Sequence, residues 1–264
     1  MNWNAILYNE NEKPLDNLVS GYSRTSIFRT IAFVGDSMSS GEFETLDENG
    51  NKGYHDFFEY SWGQFIARKN GIKAYNFSRG GMTAKEYMES YAEEKGFWAP
   101  EKAAQAYVIA LGVNDVCNGG MPVGSLDDVK DDYRQNGDTY LGYYAQIVAR
   151  YKEISPDAKF FFVTFPNEPS RINAVNAKEV KKALYDLAGH FDNAYVIDLD
   201  TYGPLFDDRV HEQYYMYGHM NPSGYILIAE LVDSYIDYIV RHNPEDFEMV
   251  AFINPPQSDW ELLK

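Results

Sequence analysis

A serine that follows a predicted buried strand is the first candidate catalytic residue in this chain. Residues 30–34 are mostly β-branched or aromatic and carry no charge, which predicts a strand covered on both faces. Gly35, Asp36 and Ser37 follow at once. Open α/β sheets bind their ligands beyond the carboxyl ends of the strands, so Ser37 is a candidate nucleophile. A plain turn, with Ser37 capping a helix, is the alternative.

Two further loops carry groups that complement a serine nucleophile. Gly80 and Gly81 follow a predicted strand at residues 73–77, and Asn114 follows another at residues 106–111. The carboxyl ends of parallel strands meet at one edge of a sheet. We therefore expect a serine hydroxyl, backbone amides and an asparagine amide to converge there. Acyl transfer needs such a set, namely a nucleophile and donors directed at the developing oxyanion.

The base for this reaction is predicted to be His219, which lies just before a helix that begins at Pro222, a favoured first helical position. His211 lies eight residues before His219, and no third ligand is evident, so we predict no metal site. Cys117 is the single cysteine, and we interpret it as a small apolar side chain rather than a nucleophile.

Four short motifs give the chain a resemblance to a known family. Ser37 stands in GDSM, Gly81 in NFSRGGMT, Asn114 in GVND and His219 in GHMNPSGY. In this order they resemble the four blocks of the SGNH hydrolases, also called the GDSL esterase/lipase family, over residues 30–240. The resemblance implies a flavodoxin-like three-layer α/β/α sandwich with a five-stranded parallel sheet, and a reaction without a cofactor.

The resemblance also implies a role for each of the four residues. Ser37 would attack an ester carbonyl, and His219 would be its base. The backbone N–H groups of Ser37 and Gly81 and the side chain of Asn114 would donate to the oxyanion. Gly81 is preferred to Gly80 because its spacing from Asn76 resembles the spacing in the family.

One position departs from the family pattern. The family usually has an aspartate three residues before the histidine, whereas this chain has Met216. A base without an orienting partner samples the wrong tautomer. Two sources of that partner are open, a carboxylate in the same loop or the backbone carbonyl of Met216. We favour the carbonyl, which would make a Ser37–His219 dyad. The candidate carboxylates are Asp207, Asp208 and Glu212.

Apolar runs and helix signals along the chain predict one α/β domain over residues 1–264, with a core at 30–242, an N-terminal segment at 1–29 and a tail at 243–264. The predicted strands are 30–34, 73–77, 106–111, 159–165 and 194–199. The main predicted helices are 61–71, 139–154, 174–190 and 222–242. Residues 39–60 are predicted to be a long loop, and its aromatic part at 43–60 is a candidate surface for stacking on sugar rings.

The composition narrows the function further. The 264 residues include 40 Asp and Glu against 23 Lys and Arg, so the net charge is −17. Such a chain repels nucleic acid and anionic membranes, and neither is expected as a partner. The N-terminus has no signal-peptide pattern and no stretch is long enough to span a bilayer, so we expect a cytoplasmic protein.

These observations predict a serine esterase that hydrolyses small acyl esters, with O-acetyl groups on carbohydrates as one substrate class. Two alternatives remain open. One is a lipase or thioesterase acting on longer acyl chains. The other is a binding protein that keeps the fold without full catalytic power, for which Met216 is the single supporting feature.

Overall fold

A parallel sheet of five strands lies at the centre of the structure, a computed structural model that describes residues 9–255. The strands are β1 (Thr30–Gly35), β2 (Glu42–Leu46), β3 (Lys52–Asp56), β4 (Lys73–Ser78), β5 (Ala106–Ala110), β6 (Lys159–Val163), β7 (Ala194–Ile197), β8 (Tyr215–Met216) and β9 (His219–Met220). The central sheet has the order β4-β1-β5-β6-β7, and each pair is parallel. Among its own five strands this is the order 2-1-3-4-5 of flavodoxin-like folds. The predicted five-stranded parallel sheet is confirmed.

Helices cover both faces of this sheet. They are α1 (Ser37–Ser40), α2 (Trp62–Asn70), α3 (Ala84–Glu86), α4 (Ala92–Glu94), α5 (Tyr140–Ile154), α6 (Ala174–His190), α7 (Asp208–Tyr214) and α8 (Pro222–His242). Several boundaries follow sequence signals. Ser61 accepts a hydrogen bond from the Gln64 N–H at the start of α2, and Gly71 ends that helix with a φ of +66°.

Side chains of β1 alternate between two apolar cores. Ile31 and Phe33 pack with residues of α2 and α8 on one face, whereas Ala32 and Val34 pack with residues of α5 and α6 on the other. All four are fully buried. A strand covered on both faces needs apolar side chains in both directions, which explains the uninterrupted run and confirms the three-layer arrangement.

The prediction of a long loop over residues 39–60 is wrong for the middle part of this segment, which forms the antiparallel hairpin β2–β3. Its turn is closed by Asp47, whose carboxylate accepts from the N–H groups of Asn49 and Asn51 at 2.8 Å each, and Gly50 has a φ of +78°. An Asn-Gly pair between alternating segments is a strong hairpin signal. The acidic composition of the segment obscured that alternation.

The segment between β7 and α8 also contains structure that the apolar pattern did not predict. The helix α7 begins at Asp207, whose carboxylate accepts from the N–H groups of Arg209 and Val210 at 3.1 Å each. The strands β8 and β9 then form a two-residue antiparallel ladder in which Met216 pairs with His219. Elements this short carry too few residues for a periodic signal.

The segments on either side of the predicted core contact it. Arg241 of α8 pairs with Glu12 at 2.7 Å, and Gln105 Nε2 donates to the carbonyl of Ile253 at 3.1 Å. The remainder of the predicted N-terminal segment and tail, residues 1–8 and 256–264, lies outside the described residues. Between residues 9 and 255, none of the helices combines the length and apolar character needed to cross a membrane.

Candidate active site

The four predicted residues Ser37, Gly81, Asn114 and His219 all line one cavity of about 620 Å³. This volume falls within the range of small-molecule sites. Three of the four follow the carboxyl ends of neighbouring strands β1, β4 and β5. The cavity therefore lies where the strand order of the sheet reverses, the position at which such folds bind ligands.

Ser37 is the first residue of the short helix α1, at a sharp turn after β1. Asp36 caps this helix by accepting from the Met38 N–H at 3.1 Å. Gly41 ends it with a φ of +79°, and its N–H donates to the Ser37 carbonyl. Both ends of the turn are thus fixed by local hydrogen bonds, and Ser37 is held with its side chain in the cavity lining.

Burial has a marked effect on Asp36. The side chain is buried, and this burial raises the pKa of Asp36 to about 6. A hydrogen bond from the Met38 N–H works in the opposite direction. Asp36 therefore stabilises the turn through an Asx-type hydrogen bond.

Gly80 and Gly81 have different surroundings. A side chain at Gly80 would overlap Glu42 Oε2, and the Gly80 N–H points to Asp56 Oδ2 at 3.4 Å. Gly81 has a φ of +72°, and no atom lies within 4 Å of the place that a methyl group would take there. Its backbone borders the cavity in a conformation that favours glycine. Gly80 thus faces the β2–β3 hairpin, whereas Gly81 leaves room for a bound molecule.

Asn114 lies in a wide helical turn over Val113–Asn118, after β5. Its Nδ2 donates to the Met82 carbonyl at 3.1 Å, and its Oδ1 accepts from Asn118 Nδ2 at 2.9 Å. These two bonds fix the orientation of the amide. Because Nδ2 carries two hydrogens, one N–H remains for a ligand. Asp115 adds a second link between the loops by accepting from the Ala84 N–H at 2.8 Å.

His219 lies between two carboxylates that come from the same strand. Its Nδ1 is 3.3 Å from Glu44 Oε2, and its Nε2 is 3.0 Å from Glu42 Oε1. The ring of Tyr54 meets the imidazole edge to face, with 5.9 Å between centroids. Residues two apart in a strand point to the same face, which explains how Glu42 and Glu44 reach one imidazole together.

The predicted partner of His219 is therefore wrong. The structure directs Nδ1 to the carboxylate of Glu44 rather than to the Met216 carbonyl. Asp207 instead caps α7, and Asp208 and Glu212 are exposed. Sequence reasoning searched only the loop around His219, whereas Glu44 is 175 residues away along the chain.

The electrostatics of the cluster favour a charged imidazole. Burial lowers the pKa of His219, but the hydrogen bonds and charges of Glu42 and Glu44 outweigh burial, and the net pKa is raised. Burial likewise opposes ionisation of Glu44. Lys52, the Gly218 N–H and His219 overcome this effect, so that the pKa of Glu44 is lowered. The arrangement favours an imidazolium next to an ionised Glu44.

Glu42 and Glu44 are the residues at this site that sequence reasoning missed. The signal that could have found them is Asn49-Gly50, flanked by the alternating Glu-Phe-Glu at 42–44. A hairpin there places Phe43 on the opposite face from both glutamates, where it is buried against Tyr225. The apolar and polar residues of this segment do alternate, but both glutamates face His219 instead of solvent.

Two further side chains, Cys117 and His55, play smaller parts. Cys117 is half-buried in the cavity lining, and burial raises the pKa of its thiol. A protonated thiol is a poor nucleophile. His55 is exposed on β3 beside Thr45 Oγ1, 3.1 Å from its Nε2, and stacks on Phe57. Tyr54 is the aromatic residue of segment 43–60 that lines the cavity.

Several solved structures share this architecture. A family two carbohydrate esterase from Clostridium thermocellum, in complex with cellohexaose, is 16% identical, with 89% of this chain and 66% of that chain covered and a TM-score of 0.55. A Lactobacillus plantarum protein is 16% identical, with 80% and 97% covered and a TM-score of 0.58. A candidate GDSL-like lipase from Bacteroides ovatus is 17% identical, with 80% and 98% covered and a TM-score of 0.52. At such identities the likeness shows the fold alone.

Family membership rests on the sequence comparison. No curated protein matches the chain. The family of GDSL-like lipases and acylhydrolases, in contrast, matches residues 31–232, well over half of the chain. The matched range includes the four predicted site residues Ser37, Gly81, Asn114 and His219. The chain therefore belongs to the GDSL-like lipase/acylhydrolase family, which confirms the resemblance carried by its four motifs.

Proposed function

We propose that this protein is a serine esterase that hydrolyses small acyl esters. One observation carries the proposal. A serine hydroxyl, a histidine, a glycine backbone and an oriented asparagine amide line the same cavity, although they come from four separate parts of the chain. Acyl transfer requires this combination of a nucleophile, a base and oxyanion donors.

In the proposed reaction, Ser37 Oγ attacks the ester carbonyl and its proton passes to His219 Nε2. The oxyanion accepts hydrogen bonds from the N–H groups of Ser37 and Gly81 and from Asn114 Nδ2. His219 then gives the proton to the leaving alcohol, which departs and leaves an acyl group on Ser37. Water, activated by the same nitrogen, releases the acid and restores the serine.

Acetyl groups on carbohydrates are the substrate class that we favour. Tyr54 is half exposed at the cavity and edge-to-face with His219, so its ring is available to stack on a sugar near the reacting ester. Glu168 and Arg171 add polar groups to the lining. The Clostridium thermocellum carbohydrate esterase has the same overall fold, which makes this chemistry compatible with the architecture.

A second candidate is an esterase or thioesterase for longer acyl chains. Val163, Phe165 and Ile172 contribute an apolar wall to the cavity, and such a wall favours an alkyl chain over a sugar. The two candidates differ in where the bulk of the substrate lies. With a small acyl group, the alcohol part of the substrate would contact this wall. With a long acyl chain, the acyl part would cover it.

A panel of p-nitrophenyl esters from acetate to palmitate, run beside acetylated sugars, separates these possibilities. We expect kcat/KM to be highest for acetate and to fall as the acyl chain grows. A maximum at eight or more carbons would favour the second candidate. The cytoplasmic location and the absence of nucleic acid and membrane partners remain predictions, which fractionation and binding assays would test.

Replacing the nucleophile tests the reaction type. We expect Ser37→Ala to lower kcat by about 10³-fold or more, as when a nucleophile that acts together with its base is removed. Ser39→Ala is a matched control, because Ser39 lies in the same short helix and its buried Oγ has no hydrogen-bond partner among residues 9–255. Activity of Ser37→Ala within tenfold of the parent would exclude Ser37 as the nucleophile.

A further inference from the structure

We propose that Glu44, on the β2–β3 hairpin, is the carboxylate that orients His219 for catalysis, and that it replaces the acid usually found three residues before the histidine. This inference rests on the proposed esterase function, since it assigns a positioning residue to the same reaction. It makes the hairpin, and not the loop that carries His219, the source of the third member of the catalytic set.

The contacts of Glu44 are those of a fixed orienting group. Its Oε2 is 3.3 Å from His219 Nδ1 and accepts from the Gly218 N–H at 3.0 Å. Its Oε1 is 2.5 Å from Lys52 Nζ on the paired strand β3. The side chain is 1% exposed. A buried carboxylate is retained only when it is paired and hydrogen-bonded, and Glu44 meets both conditions.

The turn that carries His219 is shaped around this carboxylate. Tyr217 has a φ of +59°, a conformation that non-glycine residues rarely adopt. The same turn directs the Gly218 N–H to Glu44, and a methyl group at Gly218 would come within 2.5 Å of Glu44 Oε2. One carboxylate oxygen thus contacts both the backbone beside His219 and its ring, which fixes the imidazole relative to β2.

Glu42 is the natural comparison, because it approaches the same ring from the same strand. Among the described residues, His219 is the one polar partner of the Glu42 carboxylate, through Nε2 at 3.0 Å. This nitrogen must accept the Ser37 proton, so it cannot also be held by an anion during catalysis. Once Nε2 is deprotonated, its lone pair repels the carboxylate. Glu42 must therefore withdraw, whereas Glu44 stays.

The proton balance follows from these positions. Neutral His219 carries its proton on Nδ1, donated to Glu44, and keeps a lone pair on Nε2. When Ser37 Oγ bonds to the acyl carbon, its proton moves to Nε2 and the ring becomes an imidazolium. Glu44 stays ionised throughout and stabilises this cation without taking a proton, as the acid of a serine triad does. No further reactant is needed.

Steady-state kinetics of Glu44→Gln, Glu44→Asp and the control Glu48→Gln on a small acetate ester test the assignment. We expect Glu44→Gln to lower kcat by about 10²- to 10⁴-fold with little change in KM, because the amide permits the wrong tautomer. Glu44→Asp should have a kcat at least tenfold higher than that of Glu44→Gln. Glu48→Gln, an equal change of charge at an exposed position of the same hairpin, should keep kcat within about threefold of the parent. Glu44→Gln activity within threefold of the parent, or equal losses in both Gln variants, would overturn the proposal.

A measurement on the unaltered protein covers the case in which Glu44→Gln does not fold. In the ¹⁵N spectrum of histidine-labelled protein, with His219 assigned through His219→Gln, the neutral ring should carry its proton on Nδ1. A neutral ring protonated on Nε2 would overturn the proposal. If Ser37→Ala is inactive while Glu44→Gln is normal, the inference fails and the esterase function stands. If the parent hydrolyses no ester, the function fails, and the spectrum alone decides the Glu44 contact.

Discussion

Glu42 Oε1 lies 3.0 Å from Nε2 of His219, the nitrogen that would have to receive the proton of Ser37. Within residues 9–255 no hydrogen bond joins Ser37 to this ring. The contacts at both ring nitrogens suit an imidazolium, which would donate to Glu44 through Nδ1 and to Glu42 through Nε2. Productive binding of an ester requires loss of the Nε2 proton and withdrawal of Glu42, and this requirement gives the reaction a characteristic pH dependence.

The first prediction concerns Glu42→Gln. The groups that act on the His219 ring are Glu42, Glu44, Tyr54 and Asp36, and Lys52 pairs with Glu44. Glu42 is one of the two that raise the pKa of His219. Activity is lost as pH falls through this pKa, since the base must be neutral. In Glu42→Gln the acidic limb of kcat/KM should therefore move to lower pH. Glu48→Gln, an exposed change of equal charge on the same hairpin, is the control. A limb that moves equally in both variants would contradict the prediction.

The second prediction concerns the oxyanion. Asn114→Ala should lower kcat by about 10²- to 10³-fold with a small effect on KM, because its N–H donates mainly in the transition state. Asn118→Ala removes the residue that donates to Asn114 Oδ1 but leaves Asn114 Nδ2 bonded to Met82, so its loss should stay below tenfold. A raised KM at constant kcat in Asn114→Ala would show that Asn114 only positions the substrate.

The third prediction separates backbone strain from catalysis at Gly81. Gly71 has a similar φ, +66° against +72°, and equally open surroundings, but it ends α2 outside the cavity lining. Alanine at either position should lower the free energy of unfolding by about 1–2 kcal/mol. Only Gly81→Ala should also lower kcat. Denaturant unfolding and kinetics on both variants provide the comparison. Equal kcat values in the two variants would contradict a role for the Gly81 N–H in binding the oxyanion.

The fourth prediction is a stability profile. Burial raises the pKa of Asp115 from 3.8 to about 6. Between these pH values the folded chain keeps a proton that the unfolded chain has released, so the free energy of unfolding falls as pH rises. Asp115→Asn keeps Oδ1 as an acceptor for the Ala84 N–H and abolishes this titration. Between pH 4 and 7, this titration should lower the free energy of unfolding of the parent by up to about 3 kcal/mol. Asp115→Asn should not show this part of the decrease.

The matched control for this profile is Asp127→Asn, at an exposed position. Urea unfolding at several pH values measures all three proteins. The same slope with pH in the parent and in Asp115→Asn would show that the Asp115 carboxyl does not titrate as its burial implies.

The sheet and the four motif residues could be predicted because their signals are local. A strand covered on both faces must be apolar throughout, as in β1, and the turns after β1, β4 and β5 carry their functional residues within a few positions of each strand end. The convergence of Ser37, Gly81 and Asn114 at one cavity thus follows from their positions after neighbouring strands, whereas the choice of Gly81 over Gly80 depended on the spacing in the family motif.

The partner of His219 could not be predicted in this way. Glu44 reaches Nδ1 only because β2 crosses beside β9, and its carboxylate is stabilised by Lys52 and Gly218 from two other segments. An isolated glutamate in an acidic segment is normally exposed. Its burial depends on tertiary contacts that no short window of sequence contains, so the residues around Met216 carry no signal for it.

The identity of the nucleophile is tested most directly by the mass of the protein after reaction with a fluorophosphonate, followed by peptide mapping. We expect a single adduct on Ser37, because His219 activates this hydroxyl alone, and no adduct on the neighbouring Ser39 and Ser40. Labelling should fail in His219→Gln and in denatured protein. An unlabelled native protein that still hydrolyses esters, or an adduct on any residue other than Ser37, would contradict the serine mechanism.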